Sequence, residues 1–282
     1  MRSAASHLSP ARLEEAARYV GTIPEIYDRQ LGPVLFKPFA VDLAHRLPDY
    51  HFGTVLETAC GTGILTSQLR RRLRPCVELV ATDLNRPMLD FAKRKLRASR
   101  NMRWQQADAT DLPFAAASFH AVVCQFGLMF CQNKAAAFSE ARRVLIDGGL
   151  LGFSVWDGLD ANPFAAISNA VICRALGADA PRFFDVTYGF NDRIHLRELL
   201  SRHGFEDLRF EPVIQVLRSR SARMLAHASI MGTPICLAIK DLGVACEPII
   251  DAIAEKYARV GGDSPFCSTM RALVVTARAR GA

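Results

Sequence analysis

With 282 residues, half of them hydrophobic and 22% charged, the chain has the composition of a globular enzyme built on one large α/β domain with additions. No apolar run reaches the ~18 residues a membrane span needs, and the N-terminus lacks the apolar core of a secretory signal, so a cytoplasmic protein is expected. Eight cysteines without a CxxC pair are expected to be reduced, several of them in the core, rather than a disulfide framework or a zinc site.

Residues 10–47 read as helical, with Pro24, Pro33 and Pro38 breaking the pattern. From residue 54 strands and helices alternate. The predicted strands are Thr54–Glu57, Val77–Thr82, Met102–Gln106, Ala121–Gln125 and Leu150–Val155. Helices are predicted over Thr66–Leu73, Pro87–Ala98 and Lys134–Val144, the last closed by Asp147-Gly148-Gly149 as a C-cap. Short apolar strands separated by helices imply parallel βαβ units with right-handed crossovers. After residue 156 the rhythm changes. A helix over Phe164–Leu176, an amphipathic helix over His195–His203, a strand over Leu208–Leu217, a mainly helical stretch over 221–259 and a last strand over Ala272–Ala277 complete the reading.

The net charge of +7 is concentrated between Arg70 and Arg103, where eleven Lys/Arg face only Glu78, Asp83 and Asp90. These residues fall on two predicted surface helices without interleaved aromatics. That arrangement reads as a solvated face, with nucleic acid or an anionic surface as the alternative partner.

The chemistry is concentrated in Val55-Leu56-Glu57-Thr58-Ala59-Cys60-Gly61-Thr62-Gly63, a strand ending in an acid, then a loop of small residues leading into a helix. Such a loop admits a ligand close to the backbone, and the helix start presents free N–H groups. A dinucleotide fingerprint would place a third glycine where Thr66 stands, and Glu57 would repel a pyrophosphate; the same acid suits an ammonium or sulfonium ligand. Asp83 closes the second predicted strand, where a carboxylate can accept bonds from both hydroxyls of a ribose. Asp108 follows the third, where it can accept from an adenine amine. Three acids at successive strand ends line one edge of one sheet.

On these residues the chain resembles the class I S-adenosylmethionine-dependent methyltransferases, in particular the bacterial group related to quinone-biosynthesis methyltransferases. The carrying segments are residues 55–63, Ala81-Thr82-Asp83-Leu84-Asn85-Arg86-Pro87-Met88-Leu89, Gln106-Ala107-Asp108-Ala109-Thr110-Asp111-Leu112-Pro113-Phe114 and Arg143-Val144-Leu145-Ile146-Asp147-Gly148-Gly149. Two positions depart from the family pattern. Ala59 replaces the usual first glycine, and His120 stands where an Asp often precedes the fourth strand.

The resemblance implies a doubly wound, mostly parallel seven-stranded sheet of the Rossmann-like α/β class, with the last strand antiparallel and helical cap elements added. It implies an N-terminal helical segment (1–50) covering the site, a cofactor-binding core (51–156), and a remainder (157–282) whose stretches 157–190 and 221–259 cap the sheet's carboxyl edge or pack on its flank. It implies that S-adenosylmethionine lies along Glu57, Ala59, Gly61 and Gly63, with Asp83 on the ribose and Leu84 and Met88 about the adenine. Asp108 and Ala109 would read the adenine edge, and Gln125 would face the methionine portion. Tyr27, Phe36, Phe126 and Trp156 are the expected acceptor-side residues, and Phe126 is placed to meet a sulfonium through its ring face.

The expected activity is in-line methyl transfer to O, N or C of a small metabolite, aromatic or hydrophobic, including those of secondary metabolism. No carboxylate cluster suggests a catalytic metal, so none is expected. His120, His195 and His227 are the available bases, and none is singled out as catalytic. A monomer or homodimer is expected. RNA methylation is the alternative, weakened because Gln125-Phe126-Gly127-Leu128 stands where base amino-methylation would call for Asn-Pro-Pro-aromatic; a cofactor-binding protein without methyl transfer is another.

Overall fold

The computed structural model describes residues 14–97 and 99–281. Residues 1–13 of the expected N-terminal cover, and Ala98 at the end of the helix predicted over 87–98, lie outside the described residues.

The N-terminal helical run is continuous: α1 (Ile23–Ile26), a wide π-helix (Tyr27–Phe36) and α2 (Lys37–His45). The three prolines do not interrupt it. Pro24 occupies the first turn of the run, where the missing N–H has no partner to lose, and Pro38 lies at the start of α2 directly after the wide segment. Pro33 lies inside the wide segment, which closes with the Lys37 N–H reaching back to the Gly32 carbonyl.

There follow β1 (Thr54–Glu57), α3 (Ile64–Arg72), β2 (Glu78–Asp83), α4 (Arg86–Lys95), β3 (Met102–Gln106), β4 (Phe119–Gln125), α5 (Lys134–Val144) and β5 (Leu145–Trp156). The second half comprises α6 (Pro163–Leu176), α7 (Phe183–Tyr188), α8 (Arg193–Arg202), β6 (Phe205–Ser219), α9 (Ala222–Met231), α10 (Ile235–Asp241), α11 (Cys246–Gly261) and β7 (Phe266–Ala279). The seven strands lie in the order β3-β2-β1-β4-β5-β7-β6, and β7 runs antiparallel to both its neighbours. This is the sheet that the resemblance implied.

Strand alternation distributes the core to both faces. Val55, Leu79, Ala121 and Val123 meet Leu43 of α2 and Leu65 and Leu69 of α3 on one side. Leu56, Val80 and Val122 turn to the other side, into the larger core with Phe138 and Phe153. Burial on both faces accounts for the near-continuous apolar runs of β1, β2 and β4. Chain order reverses between β1 and β4, which pair directly, so the crevice outside their carboxyl ends is the topological switch point. Glu57 and Gln125 terminate those two strands.

Two local expectations are corrected. Helix α5 stops at Val144, ahead of Asp147-Gly148-Gly149, and β5 already begins at Leu145. The Gly148 turn (φ 72°) therefore lies in an irregular start of β5, where the pairing jumps from Phe119–Leu145 to Ala121–Leu150. His120 lies within β4 rather than before it. Its Nδ1 accepts from the Thr54 N–H at 3.3 Å and its carbonyl from Tyr50 Oη at 3.1 Å, a structural role between strands.

Candidate active site

The loop after β1 is held by the strands around it. The Thr58 N–H donates to the Val123 carbonyl and the Cys60 N–H to the Thr82 carbonyl, both at 2.9 Å. Asp83 completes the clamp. One of its oxygens accepts from the Gly61 N–H and the other from the Asn85 N–H, each at 2.7 Å. Asn85 in turn caps α4 and donates to the Ala17 carbonyl at 3.2 Å, which ties the N-terminal segment to the same strand end.

Ala59 and Phe126 carry the strain of the site, both left-handed at φ 52°. That conformation costs an L-residue about 1–2 kcal/mol, and for a bulky side chain it marks a constrained position. Gly127 makes the pair possible, because a Cβ there would overlap the Ala59 methyl and lie 2.8 Å from Cys124 Sγ. The Phe126 N–H donates to the Ser154 carbonyl at 2.9 Å, which fixes the ring between elements. It stacks parallel to Trp156 with centroids 4.2 Å apart, while Phe36 meets both and stacks on Tyr27 at 4.5 Å.

Two cavities meet at this aromatic group. One, about 30 Å³, is lined by Glu57, Ala59, Gly61, Gln125 and Phe126 with Tyr27 and Phe36 above. The other, about 70 Å³, is lined by Tyr27, Phe36, Phe126 and Trp156 together with residues of α6, α7 and the α9–α10 region. Tyr27, Phe36 and Phe126 belong to both. Gln125 Nε2 donates to the Phe36 carbonyl at 2.8 Å and closes the N-terminal segment onto β4.

Glu57 is 1% exposed, and its Oε2 is buried without a hydrogen-bond partner. Burial pushes its carboxyl up to about 8; Thr66 works against the shift, and the nearby Asp83 adds to it. Asp83 is itself pushed up to about 6 by burial, despite its two backbone donors. Burial also raises Tyr19 and Tyr27, and the negative charge of Asp83 adds to both shifts. The site thus holds two desolvated carboxyl groups side by side, one with an unpaired oxygen. That is an arrangement a cation would relieve.

The other sequence candidates sit as follows. Gly63 (φ 76°) caps α3, and a Cβ there would press on Ala92 and Leu96, so its small size serves the packing of α4. Gly61 is open except toward Met88, whose Cε would lie 3.6 Å from a Cβ at that position. Met88 is buried, whereas Leu84 is 61% exposed. Asp108 turns into its own loop, accepting from the Thr110 N–H at 2.8 Å, and Ala109 lines a separate interior cavity beside Leu112 and Phe138. Sequence reasoning missed Tyr19, Gly127, Thr187 and Tyr188. Only the glycine carried a signal, as a small residue directly after a predicted strand end.

No histidine lines either cavity among the described residues. His195 is exposed at the start of α8, and His227 lies 3.4 Å from Gln30. Among the described residues, no group of three or more His, Cys, Asp or Glu could hold a metal, and no single helix is long and apolar enough to cross a membrane. All eight cysteines are free. In the basic stretch, Arg72 and Arg74 pair with Asp49, Arg86 with Asp90 and Lys95 with Asp28, while Arg70 bonds carbonyls of the α3–β2 connection. Several of these charges are thereby committed within the molecule.

Residues 55–149 match the family model described as a methyltransferase domain. The same region is similar to curated quinone-biosynthesis methyltransferases. The chain is 40% identical over 98 residues to a demethylmenaquinone methyltransferase of Deinococcus radiodurans. It is 38% identical over 120 residues to the ubiquinone/menaquinone biosynthesis C-methyltransferase of Stutzerimonas stutzeri. These alignments cover 34% and 42% of this chain and 40% and 46% of the relatives, so the chain spans less than half the length of these two curated proteins. A phosphoethanolamine N-methyltransferase 2 of Haemonchus contortus, solved with S-adenosyl-L-methionine, superposes with a TM-score of 0.62 over 97% of this chain and 60% of that one. At 14% identity that likeness establishes the fold.

Proposed function

We propose that the protein is an S-adenosylmethionine-dependent methyltransferase acting on a small-molecule acceptor, working in the cytoplasm. The observation that carries this reading is the junction of the two cavities: a buried, unpaired carboxyl oxygen of Glu57 in one, an aromatic chamber in the other, and Tyr27, Phe36 and Phe126 shared between them.

The residues fit the cofactor chemically. Glu57 offers a carboxylate to a cationic ligand, and Gly61 leaves the loop open to close approach. Asp83 fixes that loop through the Gly61 N–H and has the acceptor chemistry a ribose needs. When bound, S-adenosylmethionine would supply a methyl carbon activated by its sulfonium, with the neutral thioether as leaving group.

The protein's part is alignment and water exclusion. Phe126, fixed by its bond to Ser154 and its stack on Trp156, lines the loop cavity, where a ring face turned to a sulfonium would contribute roughly 0.5–2 kcal/mol. Tyr27 and Phe36 cover the junction. Holding the acceptor in line is the leading contribution to rate.

The N-terminal segment to residue 50 is read as the cover, residues 51–156 as the cofactor-binding core, and the stretches 157–190 and 221–259 as the acceptor side. Residues of these last two stretches line the aromatic chamber, which supports that division. The test is incubation with methyl-labelled S-adenosylmethionine and a metabolite panel. The proposal expects label in a small-molecule product with stoichiometric S-adenosylhomocysteine. Tight cofactor binding with no transfer to any acceptor, or transfer to RNA alone, would refute it.

A further inference from the structure

We propose that the methyl acceptor is a compact, uncharged aromatic molecule of one or two fused rings, without a long apolar tail, whose oxygen substituent bonds the Thr187 hydroxyl. This rests on the methyltransferase reading above and narrows its substrate. The chamber is walled by Phe36, Phe126, Trp156, Phe183, Phe184 and Tyr188, and none of its described lining residues carries a charge. An acceptor with a carboxylate or phosphate would leave its water shell there without a counter-charge, whereas a flat neutral ring gains apolar contact on both faces.

Among the aliphatic hydroxyls lining the chamber, those of Ser168 and Thr233 are committed within the protein, and the phenols of Tyr19, Tyr27 and Tyr188 line it as well. Ser168 Oγ and Tyr257 Oη lie 2.6 Å apart, Tyr257 also bonds the Phe164 carbonyl at 2.9 Å, and Thr233 donates to the Ser229 carbonyl at 2.8 Å. Thr187 differs. It is 7% exposed, lines the chamber from α7, and its Oγ1 is buried without a partner. A lone hydroxyl, donor and acceptor at once, matches a phenol, a ketone or a quinone oxygen.

A neighbouring depression bears on length. The depression that shares Phe183 and Ile235 with the chamber is lined by Glu15, Asp179 and Arg182. A long hydrocarbon tail leaving the chamber there would lie across charged groups. A compact ring would not.

Calorimetry first establishes that S-adenosylhomocysteine binds. With the protein saturated by it, equilibrium dialysis compares 2-naphthol with 2-naphthoate, and 2,3-dimethyl-1,4-naphthoquinone with its 2-methyl-3-geranyl counterpart. The neutral and the tail-less members should each bind at least tenfold more tightly than their partners. Thr187→Val should weaken 2-naphthol by about fivefold, the scale of one lost hydrogen bond, while naphthalene changes less than twofold and Thr187→Ser retains binding. Equal or tighter binding of naphthoate or of the geranyl compound, or an equal loss of naphthol and naphthalene in Thr187→Val, would overturn the acceptor assignment alone. Failure of S-adenosylhomocysteine to bind would overturn the methyltransferase reading and this assignment with it.

Discussion

If Glu57 faces the cofactor's charge, cofactor affinity should depend on pH in a defined direction. The Glu57 carboxyl, pushed up to about 8 by burial, is mostly protonated in the free protein at pH 7. A cationic ligand beside it favours the ionised form, so binding releases a proton and strengthens as pH rises through the free-state value. With a free-state value of about 8 and full ionisation in the complex, affinity should rise about fivefold between pH 7 and 8 and level off above about pH 9. In Glu57→Gln this contribution disappears. The ligand's own amino group titrates in both proteins, so the quantity to read is the difference between the two pH profiles. Calorimetry of S-adenosylmethionine binding at several pH values, repeated in buffers of different ionisation enthalpy, gives both the affinity and the protons released. Parallel profiles for wild type and Glu57→Gln, or equal proton release, would show that Glu57 does not face the ligand's charge.

The same group affects stability. Its folded value lies above the ordinary 4.5, so the unfolded chain ionises first, and wild type should lose stability relative to Glu57→Gln as pH rises from about 4.5 to about 8. Melting curves that run parallel across that window would contradict the burial argument. Asp83→Ala should weaken cofactor binding by ~1–3 kcal/mol through loss of the Gly61 clamp and of an acceptor for the ligand; unchanged affinity would take Asp83 out of the site. Gly127→Ala should destabilise by ~1–3 kcal/mol through overlap with the Ala59 methyl, and Ala59→Gly in the same chain should recover part of that loss, as measured by denaturant unfolding. Additive effects of the two substitutions would argue against the contact. Lys95→Ala removes the 2.5 Å pair with Asp28 that joins α4 to the N-terminal helical run; proteolytic cleavage before residue 37 should become faster, with only ~0.5 kcal/mol lost in global stability.

The first four strands were legible to within two residues at either end because β1, β2 and β4 are buried on both faces and read as apolar runs. β6 and β7 proved longer than predicted. The outer strand alternates exposed Glu206, Arg209 and Glu211 with partly buried residues, which dilutes the apolar signal at its ends. The prolines of the N-terminal run suggested breaks because sequence reasoning assumes α-helical geometry, and the wide helical segment around Pro33 obeys a different spacing.

At the site, Glu57, Asp83 and the small-residue loop stood out because their types and their positions at strand ends are local features. Tyr27, Phe36, Phe126 and Trp156 were candidates from separate segments, and the fold brings all four to one chamber. Thr187 and Tyr188 were invisible. Nothing in their own neighbourhood marks them, and only the return of α7 over the end of β5 gives them a role. Gly63 was legible as a glycine but not in its use, since its partner Ala92 lies on another helix.

The central claim is that the crevice between β1 and β4 takes S-adenosylmethionine. Calorimetric titration of the cofactor into the folded protein at pH 8 tests it most directly. The account predicts saturable binding at one site per chain, competed by S-adenosylhomocysteine and weakened in Asp83→Ala. A folded protein that gives no saturable binding, or whose binding is indifferent to Asp83→Ala and Glu57→Gln alike, would contradict it.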